Sequence, residues 1–71
     1  MALNAKSVIE VAAMNAKQRE AYFFEFAGYF EDAPLLPYAI RVGSKTLVSN
    51  DTMDLRWKFE KYVRNLRRRK S

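Results

Sequence analysis

Apolar side chains recur along this chain with two different periods, and the change of period divides it. From residue 8 to about residue 30, Val8, Ile9, Ala12, Ala16, Phe23, Phe26, Ala27 and Phe30 lie on one side of a helical wheel turned by about 100° per residue. Ser7 and Glu10 open that stretch with the spacing of a capping box, in which the serine oxygen accepts a first-turn N–H and the glutamate reaches back. The pattern predicts one helix to about Phe30, or two nearly collinear ones, since Asn15 and Gln18 form a second, weaker capping pair. The first half of this helix is lined by the small residues Ala12, Ala13 and Ala16, and the second half is ringed by aromatics. Glu31, Asp32, Ala33 and Pro34 stop it, because proline cannot continue a helix. Leu35, Leu36 and Pro37 then form a short extended link, whose leucines are expected to plug the end of the core more often than to form an exposed docking loop.

Over residues 38–49 the period changes to two. Tyr38, Ile40 and Val42 alternate with Ala39 and Arg41, and Gly43-Ser44 supplies a two-residue turn in which glycine adopts positive φ. That turn sets Val42 opposite Lys45, Arg41 opposite Thr46 and Ile40 opposite Leu47. A lone hairpin is marginal in water, so its apolar face needs helices or another chain as cover.

The helical period returns over residues 52–70. Leu55, Phe59, Tyr62 and Leu66 form one stripe with Val63 beside it, and this is the expected core seam. Asp51 or Thr52 can cap the first turn, where Asp54 also suits the positive end of the helix dipole. On the opposite side lie Met53, Trp57, Lys61, Arg64 and Arg68, so a basic face carries the single tryptophan. The expected fold is therefore α+β, a small single domain over residues 1–71 with a long N-terminal helix, a β-hairpin and a basic C-terminal helix. Residues 1–6 and 68–71 are expected to be flexible, the latter because the basic run 67–70 repels itself.

Charge sharpens this picture. The net charge of +5 is not spread evenly: residues 55–71 carry eight Lys and Arg against Glu60 alone, for +7, while residues 1–54 carry −2. One basic pole of this kind attracts nucleic acid, an anionic membrane or an acidic protein. No stretch reads as a signal or a membrane span, so no integral membrane association is expected and the cytoplasm is the default compartment.

Candidate chemistry is sparse. The chain has no His and no Cys, and its two glycines are too few for a phosphate-cradling loop. An enzyme is not expected, nor is a cofactor or a metal site. The leading expectation is a small non-enzymatic nucleic-acid-binding protein, regulatory in type. Trp57, Lys61, Arg64, Arg67, Arg68 and Arg69 would make the contacts, with Arg41 and Lys45 added from the hairpin. The alternative is a protein-binding adaptor or inhibitor, of a kind a mobile genetic element can carry, since Trp, Tyr, Phe and Arg are the residues enriched at interface hot spots. Tyr22, Phe24 and Tyr29 exceed what so small a core needs and are candidate interface residues, including for a homodimer.

Overall fold

A computed structural model of the chain describes residues 5–69, with the side chain of Arg69 outside the described set. It is an α+β domain in which three helices cover a three-stranded antiparallel sheet. The order is α1 (Val8–Ala12), α2 (Ala16–Phe26), β1 (Gly28–Tyr29), β2 (Tyr38–Val42), β3 (Lys45–Ser49) and α3 (Thr52–Arg69), and β2 is the central strand.

The N-terminal helix is split. Ser7 caps α1 by accepting the Glu10 N–H, and Asn15 caps α2 through a complete capping box with Gln18. Asn15 must be extended (φ −79°, ψ 176°) to do so, and that conformation ends α1. Of the two expected forms, one helix or two, the chain takes two, because a local cap outweighs a continuous apolar stripe. The break also resets the phase of α1: Val11 enters the core while Val8 and Ile9 stay exposed.

The second helix stops at Phe26 rather than near Phe30. Ala27 turns extended, and Gly28 and Tyr29 pair with Ala39 and Tyr38 of β2. The Phe30 N–H donates to the Pro37 carbonyl at 2.7 Å, so residues 30–37 form a closed loop between two paired strands. The sheet thus has one strand more than the expected hairpin. Leu35 at 85 % and Leu36 at 46 % exposure do not plug the core; it is Pro37 that is buried.

The hairpin itself has the register set by its turn, with Val42 opposite Lys45, Arg41 opposite Thr46 and Ile40 opposite Leu47. Gly43 has φ +60°, and a Cβ there would meet Val8 Cγ1 at 3.0 Å, so both conformation and space favour glycine. The Gly43 N–H donates to the Lys6 carbonyl at 2.8 Å, which ties the lead-in segment to the turn. Of the two segments expected to be flexible, residues 1–4 and 70–71 lie outside the described residues, Lys6 is tied in this way and α3 continues through Arg69.

The core is Val11, Tyr22, Phe23, Ile40, Val42, Leu55, Phe59 and Val63. Leu55, Phe59 and Val63 come from the expected seam of α3, and Tyr62 packs against the core partly buried. Tyr22 and Phe23 of α2 meet Phe59 at ring-centroid distances of 5.7 and 6.0 Å. The seam lays α3 on β2 and β3 and against α1, which turns its opposite face outward.

Candidate functional site

Eighteen residues of α3 make a rod about 27 Å long at 1.5 Å per residue. Its start is held by a small network. The Asp51 carboxylate accepts the Met53 N–H at 2.9 Å, and the buried Ser49 hydroxyl donates to Asp54 at 2.6 Å. That hydroxyl bond, helped by Lys58, holds the Asp54 carboxyl below the usual carboxylate range.

The basic residues of α3 fall into two groups, and Arg67 is the candidate contact that moves from the outward group to the inward one. The first faces neighbouring elements. Arg56 pairs with Glu20 at 3.7 Å and lies over the Phe24 ring, 6.0 Å from its centroid. Lys58 reaches Asp54 at 3.4 Å and donates to the Val48 carbonyl of the sheet edge at 3.0 Å. Arg67 donates to the carbonyls of Ala12 and Met14, the free acceptors where α1 ends. Arg19 of α2 joins it there, donating to Met14 and gripping Glu60 of α3 through both carboxylate oxygens at 3.1 Å. Arg67 is thus a clamp on the α1–α2 elbow. Replacing it with Met keeps the stem and removes the two hydrogen bonds. The expected loss is about 1 kcal/mol in denaturant unfolding.

The second group points away from the body. Met53 is 80 % and Trp57 60 % exposed, and the Lys61 ammonium lies over the Trp57 indole, 4.9 Å from its centroid. Lys61 and Arg64 are exposed, and neither pairs with a carboxylate among the described residues. Arg68 shares this side of the helix and has an interaction of its own. Trp57, Lys61, Arg64 and Arg68 therefore stand on one line of α3.

The hairpin cations are elsewhere in role. Arg41 is partly buried and donates to its own turn at the Gly43 carbonyl, 3.1 Å away, while Lys45 is exposed beside that turn. The side chain of Arg69 lies outside the described residues.

The three candidate interface aromatics also separate. Tyr22 is only 2 % exposed, so it belongs to the core and not to a surface patch. Its hydroxyl donates to the Arg41 carbonyl at 2.5 Å and accepts the Lys6 N–H at 3.2 Å, and burial raises the pKa of the phenol. Phe24 at 70 % and Tyr29 at 59 % are exposed. They border an apolar cleft of about 290 Å³ floored by Phe23, Ala27, Tyr38 and Leu55, between α2, β1 and the start of α3.

Among the described residues no three His, Cys, Asp or Glu side chains are placed to hold a metal ion, and no helix is long and apolar enough to cross a membrane. No known protein family, no curated protein and no solved structure matches the chain.

Proposed function

We propose that this chain is a small nucleic-acid-binding module and that the outer face of α3 is its contact surface. One observation carries the reading. Among the described residues neither Lys61, whose ammonium lies over an exposed indole, nor Arg64 pairs with a carboxylate, whereas Arg56, Lys58 and Arg67 are tied within the fold. Unpaired cations displace counterions from phosphates, and an exposed aromatic gives a base or sugar an apolar partner. The chain's net charge of +5, concentrated in this helix, favours encounter with a polyanion.

The test is a titration of labelled DNA and RNA oligonucleotides, followed by anisotropy at about 50 and about 200 mM salt. Binding that weakens steeply with salt is expected. No change in anisotropy at either salt overturns the reading.

The cleft beside Phe24 favours a second reading, contact with an acidic protein or a second copy of this chain, with Arg56 lying over the Phe24 ring. Sedimentation distinguishes the two kinds of partner. A mass that doubles with concentration, and reverts in Phe24→Asp, assigns the cleft to a homodimer; a monomer at high concentration removes that partner.

A further inference from the structure

We infer that the nucleic acid taken by this face is single-stranded, with one base stacked on Trp57 and the strand's phosphates passing Lys61 and Arg64. The inference rests on the reading that the outer face of α3 binds nucleic acid, and it adds which form is bound.

A helix that reads duplex DNA enters a major groove about 12 Å wide, with a row of phosphates on either side. It needs cations on both flanks. Among the described residues the cations on both flanks of α3 are already committed. On one, Arg56 pairs with Glu20, Glu60 with Arg19, and Arg67 with the α1–α2 elbow. On the other, Lys58 is held by Asp54 and by the carbonyl of Val48. The same contacts bring α2 and β3 against the sides of the helix, where the walls of a groove would have to pass.

What remains is a single line. Trp57 to Lys61 is about 6 Å along the axis and Lys61 to Arg64 about 4.5 Å, steps on the scale of one nucleotide of an unstacked strand. One row of cations neutralises one row of phosphates. The indole decides the same way. A duplex hides its base faces, whereas a single strand offers them, and base–aromatic stacking is tolerant of sequence. The Lys61 ammonium lies over the Trp57 ring, 4.9 Å from its centroid, and the residue is 60 % exposed, so a base can reach the indole. Lys61 then sits where the phosphate of that stacked nucleotide arrives.

The experiment uses the full chain with a labelled oligothymidylate and a hairpin duplex of equal charge. Anisotropy gives affinity, and Trp57 emission reports stacking. The single strand is expected to bind at least about tenfold more tightly and to quench Trp57, and Trp57→Ala to weaken it by about five- to a hundredfold. The circular dichroism of Trp57→Ala should match the parent, because the indole lies outside the core. A duplex that binds as tightly as the single strand overturns the inference, and so does a Trp57→Ala variant with undiminished single-strand affinity. In either case, salt-sensitive binding weakened by Arg64→Ala keeps the nucleic-acid reading. Absence of binding to both probes ends the two together.

Discussion

Phe59→Ala is expected to lower the unfolding free energy by about 3–5 kcal/mol, the largest loss of any single truncation in the domain. Phe59 is fully buried and is the largest side chain in that state. Its ring is the point where α3 meets α2, stacked on Tyr22 and tilted against Phe23. A chain of 71 residues has few other core side chains to close around the hole. Small domains are stable by only about 5–15 kcal/mol, so the variant should show a much reduced denaturant midpoint and a populated unfolded fraction. Phe26, half-buried beside the same cluster, should cost distinctly less when truncated. Equal losses at the two positions would contradict this view of the core.

Removing both outward cations is expected to have the largest effect on binding. Lys61→Ala with Arg64→Ala should weaken oligonucleotide binding by roughly a hundredfold at low salt, about tenfold for each charge-assisted hydrogen bond. The slope of log affinity against log salt should fall by about 1.4, or about 0.7 for each single-strand phosphate that is no longer neutralised. Thermal unfolding should be nearly unchanged, because neither side chain supports a neighbouring element among the described residues. The paired change separates this face from Arg67, whose replacement is expected to act mainly on stability. If the double variant instead loses its cooperative transition, the two residues are structural.

Some of the fold was legible in the sequence because local chemistry decides it. Gly43 and Ser44 dictate a two-residue turn, and the turn dictates every pair of the β2–β3 register. The seam of α3 follows from spacing alone, and with it the outward line that begins at Trp57. The break at Asn15 was legible as a capping pair, but the apolar stripe across it suggested a continuous helix; four satisfied backbone and side-chain groups at the cap outweigh that stripe. Strand β1 was not legible. A Gly-Tyr pair has no strand period of its own and is extended because β2 offers it partners.

The charges show the same division between local and long-range causes. Helical spacing sets Arg64 on the outward face and leaves Arg56 and Lys58 off it, but it gives them no partners and counts Arg67 among the contacts. The partners are acceptors far along the chain: Glu20 for Arg56 and the carbonyls of Ala12 and Met14 for Arg67. Tyr22 is a similar case. A tyrosine among exposed-looking aromatics is buried because the Arg41 carbonyl and the Lys6 N–H satisfy its hydroxyl.

The most direct measurement of the central claim is a two-dimensional amide spectrum of the labelled protein, recorded as oligothymidylate is added. The account predicts that the largest shifts fall on the Trp57 indole N–H and on the amides of Met53, Lys61 and Arg64, with the sheet and the Phe24 cleft nearly still. Shifts centred on Phe24, Ala27 and Tyr29, with the outer face of α3 unmoved, would contradict it and transfer the binding surface to the cleft.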